Sequence, residues 1–591
     1  MIKNGILILI AVIYSASLFA QPRTLLSGKV VSTDKSVIDF ATVYLKGTQY
    51  GCTTNEQGIY HLHAPTGKYT LIISAVGFET YEKAIEIVPN ERNKQTVVLK
   101  PSVTELDEVV VTSTGVNRVK KSAFNAVAVD TKELHNSTKS LSEALSQLPG
   151  MKLRESGGVG SDMQLMLDGF SGKHVKVFID GVPQEGAGTA FDLNNIPVNF
   201  AERIEVYKGV VPVGFGTDAL GGVINIVTNK KRRNWFLDAS YSYGSFNTHK
   251  ETVRVGSGLL GNHWAFDTRI SNIQSDGYRD RATSDLKSYF LQGGYYGENT
   301  TLKFITFGGK EKTYHAWDGI SREQLETDRT YNPNGAIKDD NLNKGNIIGF
   351  YDDQTDNYEQ TNYQLIFNHL FSPEWHLNIA LHYTDGFGYY QEYKNGRTLE
   401  EYGLKPFYLP ENTEAQTKTN LVRQKLVDSG FGGGVFSVDY KDEKLSASLG
   451  GGLNHYSNDH YGKVIWVKNY TEPLNPDHEY YRNNGSKTDG NIYAKANYQI
   501  TKGLHAYADL QYRYIKYKIN GDNDKWDWTA DPGHLQCLNV NEDFSFFNPK
   551  AGLFWQFNPN HSAYASFAVA QKEPTRNNYT DGLFDELPRP E

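Results

Sequence analysis

The chain has 591 residues, with 60 Lys plus Arg against 68 Asp plus Glu and a formal net charge of −8. That balance, with a sequence pI of about 6.1, gives no reason to expect nucleic acid. Mean hydropathy is −0.52, and past residue 20 no apolar run reaches the roughly 18 residues of a spanning helix, which excludes helical membrane spans. Two cysteines, Cys52 and Cys537, lie in segments of different character, so neither a disulfide nor a thiolate metal site is expected.

The first 20 residues read as an export signal. Lys3 supplies the positive end, Ile6 to Tyr14 the apolar core, and Ala20 the small residue before Gln21. Leu18 fits the cleavage pattern poorly, so the cut is left open. No cysteine follows it, so no lipid anchor is expected.

Residues 24–100 carry short β-rich runs, GKVVS, ATVYLKG, GIYHLHAP, KYTLIISAVG and TVVLK, broken by Gly, Pro, Asn and Asp. They predict a small β unit. His61 and His63 share one strand face there, which reads as a solvated face rather than a metal site. Residues 101–121 form a linker holding LDEVVVTST (106–114). β-Branched residues between domains should be extended without a home sheet, free to pair with a partner's sheet edge. The alternative is a strand of a flanking domain.

Residues 122–230 mix helix and strand. Ser140 to Leu148 is a short helix with an S-x-x-E start, stopped by Pro149-Gly150. MQLMLDG, HVKVFIDGVP, RIEVYKG and GGVINIVT follow as compact β runs. GFGTDALGG lacks the G-K-[ST] ending of a phosphate loop, and no nucleotide site is inferred.

From residue 231 onward, seven segments alternate apolar and polar side chains. Ile492, Ala494, Ala496, Tyr498 and Ile500 oppose Tyr493, Lys495, Asn497 and Gln499. Leu504, Ala506, Ala508, Leu510, Tyr512 and Tyr514 oppose His505, Tyr507, Asp509, Gln511 and Arg513. A period of two puts each set on one face of a strand. Short connections (GEN, SPE, KDEK, TKG, NPN) alternate with long ones near 312–357, 386–420, 455–489 and 519–542. Apolar rows toward lipid, polar rows toward a lumen, and loops of unequal length on the two rims predict a transmembrane β-barrel of about 13 strands. HEYYR (478–482) lacks the second histidine of a zinc-protease motif. No credible catalytic constellation, cofactor site or metal site is found.

The stretches LSEALSQLPGMKL, VKVFIDGVP and IPVNFAERIEVYKGVVPVGFGTDALGGVINIVTNK resemble the plug of a TonB-dependent outer-membrane receptor. The preceding DEVVVTS looks like its TonB box, and residues 24–100 resemble a carboxypeptidase-regulatory-like domain. The resemblance implies, after the signal (1–20), a small β-sandwich (24–100), a linker with the TonB box (101–121), an α+β plug (122–230) and a barrel (231–591). Family barrels ordinarily have 22 strands, so the chain is expected to lack roughly the last third of one. Implied roles follow. Asp107, Glu108, Val109, Val110, Val111 and Thr112 would couple to TonB. The plug apex would meet ligand through Arg154, Ser156, Asp162, Gln184, Glu185 and Phe191. The implied function is energised import across the outer membrane of a Gram-negative cell, with a ferric siderophore or other iron complex favoured and cobalamin, haem or an oligosaccharide as alternatives. A passive porin or an adhesin is the reading of another class. For YHAWDG, at the start of the first long loop, two readings stand. Tyr314, His315, Trp317 and Asp318 grip ligand, or Tyr314 and Trp317 belong to the aromatic girdle at the outer rim.

Overall fold

The computed structural model describes residues 23–100, 126–130, 145–184, 201–209, 221–228 and 234–580, apart from gaps of one to five residues inside these blocks. The signal, the linker with LDEVVVTST and most of the Ser140–Leu148 helix lie outside the described residues. The chain divides into two compact units, 1–107 and 108–591.

The first unit is a sandwich of two sheets. One orders Ile59–Pro65, Arg23–Ser32 and Asn93–Leu99; the other orders Gly51–Thr53, Thr42–Leu45, Gly67–Ser74 and Tyr81–Ile87. Alternate residues of both sheets, among them Leu26, Val30, Val43, Tyr60, Leu71 and Val97, form its core. His61 and His63 are exposed on the outer face of Ile59–Pro65. Both cysteines are free.

In the second unit a fourteen-stranded antiparallel meander runs from Phe236–Gly244 to His561–Ala568. Leu535–Phe547 and Lys550–Asn558 pair with the upper and lower parts of the same neighbour, Leu504–Trp526. They are two pieces of one wall strand, broken beside Pro549, which has no N–H to give the ladder. The wall therefore has thirteen strand positions, matching the sequence count. Among the described residues its first and last strands each have one neighbour.

The predicted rows hold. Ile492, Tyr498, Ile500, Leu510 and Tyr512 are exposed on the outside, while Tyr493, Asp509, Gln511 and Arg513 are buried on the inside. The long connections, however, are shorter than the sequence suggested: 315–354, 399–417, 468–478 and 527–534. Strands such as Trp375–Thr398 and Lys418–Lys441 reach 24 residues, against the roughly 10 that cross lipid. Beyond the lipid both faces meet water and the apolar alternation fades, while the backbone ladder continues. These upper halves lie outside the membrane-spanning segments.

The plug contributes a five-stranded sheet, ordered Val182–Gln184, Val175–Ile179, Gly222–Thr228, Ala201–Lys208 and Ala126–Asp130, and a three-stranded one of Phe170–Ser171, Met163–Leu167 and Met151–Glu155. Its core is shared with the wall. Val177, Ile179, Ile204 and Ile224 cluster with Phe290, Ile305, Phe307, Ile366 and Ala380, which face inward from four successive strands of the meander.

Candidate functional site

Asp180 and Gly181 are the two-residue turn of the Val175–Ile179/Val182–Gln184 hairpin, with φ of 49° and 78°. An Asp-Gly pair suits this turn because both positions need positive φ. The turn presents the Asp180 carboxylate to three donors. Thr228 donates its backbone N–H at 2.8 Å and its hydroxyl at 2.6 Å, and the barrel's Lys303 ammonium lies at 2.8 Å. Lys303 sits between Leu302 and Phe304, which face out, and pairs across the ladder with Ile366. Both ends of this ion pair are almost fully buried, so the plug is pinned to one register of the wall.

The plug apex packs on the upper barrel. A Cβ on Gly158 would stand 2.3 Å from the Ala282 carbonyl oxygen, and one on Gly160 would stand 2.4 Å from Leu286. Only glycine allows this approach. Gly157 faces the Ala316 methyl. The sequence-predicted apex loop and the YHAWDG loop therefore meet.

Around Ala316 the chain is held by its carbonyls. Asn332 donates to the His315 oxygen at 2.9 Å, and Arg279 donates to the Ala316 and Asp318 oxygens, the latter at 2.8 Å. His315 is 1% exposed and stacks on Trp317 with ring centroids 4.0 Å apart. Tyr390, from the lumen face of Trp375–Thr398, meets both rings edge-on at 5.8 and 5.9 Å. Burial holds the His315 pKa down to about 4, so the ring is neutral.

One step higher a charged wall begins. Glu392 bonds Arg423 at 2.8 Å and Lys394 at 2.9 Å. Burial opposes its charge, but Arg423 and Lys394 outweigh that and hold its carboxyl down to about 2. Lys425 pairs with Asp524 and lies 5.7 Å above the Tyr390 ring. Tyr402, Tyr480 and Tyr481 pack in series, the first pair tilted and the second edge-on, beside Arg423, whose guanidinium donates to the Tyr402 hydroxyl. Sequence reading missed this wall. Its signal was there, as charges at every second position: Glu392 and Lys394 inside the stretch read as a connection, Arg423 and Lys425 just past its end.

The predicted site residues fare unevenly. Asp107 to Thr112, Ser156, Asp162, Glu185 and Phe191 lie outside the described residues. Arg154 lies in the strand Met151–Glu155. Gln184 is buried, its amide donated to the Val182 carbonyl. Tyr314 is buried too, its hydroxyl donated to the Asn334 and Tyr351 carbonyls, so it braces the loop. Trp317 does not lie on the girdle. Lys310 and Lys312 follow Leu302 and Phe304 on the outer face, and the strand continues to Tyr314 before Trp317 is reached. The girdle reading of Trp317, one of the two, rested on residue spacing with the strand taken to end too soon.

A plug seated inside an antiparallel wall with an apolar outer row defines a plugged β-barrel of the receptor class. The chain matches the model of the TonB-dependent receptor-like β-barrel over residues 294–589, the TonB-dependent receptor plug domain over 118–223 and the CarboxypepD_reg-like domain over 26–111. It belongs to the TonB-dependent receptor family. It is 36% identical over 177 residues to the vitamin B12 transporter BtuB of Vibrio vulnificus strain YJ016, covering 29% of this chain and 28% of that one. It is 27% identical over 202 residues to BtuB of Vibrio cholerae, covering 34% and 33%. The chain thus matches about a third or less of these relatives. Among solved structures it resembles the ferric-catecholate import receptor Fiu of Escherichia coli (TM-score 0.57, 16% identity, 78% of this chain and 67% of that one). It also resembles the ferric citrate transporter FecA (TM-score 0.58, 15% identity, 76% and 63%). At such identities the likeness is one of fold.

Proposed function

We propose that this protein is an outer-membrane receptor that imports a scarce ligand, with energy delivered by TonB through residues 107–112. The observation that carries the reading is the plug pinned in the lumen beneath a vestibule of clamped aromatics and buried charges. A passive pore has no use for such a plug, and an adhesin has no use for its apex packing against the loops. No bond in the ligand is broken, and the receptor is not an enzyme. An iron chelate is the favoured ligand, because Arg423, Lys394 and Lys425 outnumber Glu392 and Asp524 and suit an anionic complex. Cobalamin is the second reading, favoured by the likeness to BtuB over the plug region. The apex residues Arg154, Ser156, Asp162, Gln184, Glu185 and Phe191 and the loop residues His315, Trp317 and Asp318 are the proposed first contacts.

The coupling is tested with Val110→Pro. Proline removes the N–H that strand pairing needs. The receptor is reconstituted in lipid, and binding of the TonB C-terminal domain is measured. Binding is expected for the natural sequence and should be lost in the variant. Equal binding by both removes the coupling assignment. Comparing cyanocobalamin with ferric citrate and ferric catecholate complexes in equilibrium binding then decides the ligand class.

A further inference from the structure

On its outer face, at the level where the apolar rows end, the wall is concave. Across four adjacent strands one rung reads Ile270, Tyr289, Gly308 and Thr361, and the rung above reads Asn272, Lys287, Lys310 and Glu359. Gly308 leaves the middle of the lower rung without a side chain. A Cβ there would stand 2.2 Å from the Gln360 carbonyl oxygen, and one on Gly309 would stand 2.7 Å from that of Lys287. Only glycine lets neighbouring strands close up so tightly. The hollow consists of two adjoining cavities. The lower, of about 540 Å³, is lined by Ile270, Tyr289 and Thr361 together with Lys287 and Lys310. The upper, of about 340 Å³, shares those two lysines and reaches Lys312, Phe387 and Tyr389.

The two cavities differ in character. Below the lower one the outer rows continue as Leu291 and Tyr363, then Phe304 and Leu365, all exposed, as a lipid-facing wall requires. A hollow continuous with that wall takes a hydrocarbon chain. The upper cavity is lined by Lys287, Lys310 and Lys312, with Asp285 and Glu359 among them. Lys287 lies 3.3 Å from Asp285, Lys312 lies 3.4 Å from Asp353, and Lys310 pairs with Glu359. All three pairs are exposed at both ends, where an ion pair contributes little and is given up easily. Lys287 and Lys310 stand directly opposite each other across the ladder. A phosphate between them accepts charge-assisted hydrogen bonds from both. Free phosphate has nothing to place in the lower cavity, and a lipid with a neutral head gains nothing from the lysines. A phosphate-bearing lipid fits both halves.

We propose that this hollow is a binding site for a phosphate-bearing lipid of the surrounding membrane, with an acyl chain laid along Ile270 and Leu291 and the phosphate held between Lys287 and Lys310. The same strands carry Phe290, Ile305 and Phe307 on their inner face, against the plug. A lipid seated here therefore braces the sector of wall in which the plug sits. The site lies on the opposite face of the wall from the vestibule of Arg423, Lys394 and Lys425, and it does not rest on the import reading.

The test uses the full chain in a neutral detergent, with native mass spectrometry reading which lipid it retains. The probes are phosphatidic acid and phosphatidylcholine with the same two acyl chains, so they differ only in the head. The chain is expected to retain one phosphatidic acid, held about tenfold more tightly than phosphatidylcholine, which is the worth of two lysines beside an anionic lipid less the weak pairs they give up. Lys287→Gln with Lys310→Gln should bring the two lipids level, and Lys287→Arg with Lys310→Arg should keep the preference. All these positions are exposed, so folding is undisturbed. Lys516→Gln with Lys518→Gln removes the same charge from the exposed outer row of Leu504–Trp526 and should change nothing. The site is overturned by equal retention of the two lipids, by a preference that survives Lys287→Gln with Lys310→Gln, or by a preference lost equally in Lys516→Gln with Lys518→Gln. Displacement of phosphatidic acid by an equal concentration of inorganic phosphate overturns it too, since the acyl chain would then contribute nothing. None of these readings involves TonB or the imported ligand, so this result and the import reading stand or fall separately.

Discussion

Lys303→Met is the sharpest perturbation of the plug. Methionine matches the stem of lysine and suits the apolar stripe of Ile366, Ala380 and Val435 in which Lys303 sits. What it removes is the charge that meets Asp180. Taking away one partner of a buried ion pair costs about 3–5 kcal/mol because the other charge is left uncompensated. Asp180 keeps its two hydrogen bonds from Thr228, so the lower end, about 3 kcal/mol, applies. Both side chains are 3–4% exposed, and solvent screening takes little from this. About 3 kcal/mol is on the order of a hundredfold in an opening equilibrium. Hydrogen exchange at Val175–Ile179 and Gly222–Thr228, measured in the reconstituted chain, should quicken by that factor. The double variant Asp180→Asn with Lys303→Met should recover part of the loss, since no bare charge remains. Unchanged exchange in Lys303→Met would refute the latch, and so would a double variant worse than the sum of the singles.

Gly158→Ala puts a methyl 2.3 Å from the Ala282 carbonyl oxygen, and neither backbone has room to give. It should lift the apex from the barrel and quicken exchange at Gly157–Ser161; proteolysis of the loop is a second readout. Glu392 supplies a pH signature. Its carboxyl is held near 2 against an ordinary 4.5, so the folded state favours the ionised form. That contribution, about 3 kcal/mol at 1.36 kcal/mol per pKa unit, is fully present above pH 4.5 and is lost as pH falls toward 2. In Glu392→Gln the corresponding acid sensitivity of the upper wall, followed by exchange across Lys418–Gly430, should vanish.

Much of the architecture was legible because a period of two survives any loop length. Ile492 to Ile500 and Leu504 to Tyr514 gave their strands, their faces and the turn between them. The heights of those strands were not legible. On Thr300–Tyr314 the outer row runs Leu302, Phe304, Thr306, Gly308, Lys310, Lys312, turning polar once lipid ends. Hydropathy stops there, but hydrogen bonding to the neighbours does not. Every residue of the vestibule that was missed, from Tyr390 to Lys425, sits on such an upper half. Asp180 was legible as part of a motif, yet its partner Lys303 lies 123 residues on, at a position that local pattern marks only as lumen-facing. Pairings of that kind are set by how the plug seats in the wall.

The barrel's own sequence nevertheless carries a print of its plug. Residues on the lumen rows of a barrel open to water should be polar. Phe290, Ile305, Phe307 and Ile366 break that rule on three adjacent strands while keeping the inward parity. Each would cost free energy against water, at roughly 25 cal/mol per Å² of apolar surface left exposed. Together they form one patch, and the plug strands Val175–Ile179 and Gly222–Thr228 bury it. Apolar residues confined to one sector of the lumen rows are thus evidence for a docked body and for the side on which it docks. Lys303 in the same sector carries the argument further. A lysine among such neighbours is tolerable only if an anion is delivered to it, and the Asp-Gly turn of the plug delivers Asp180.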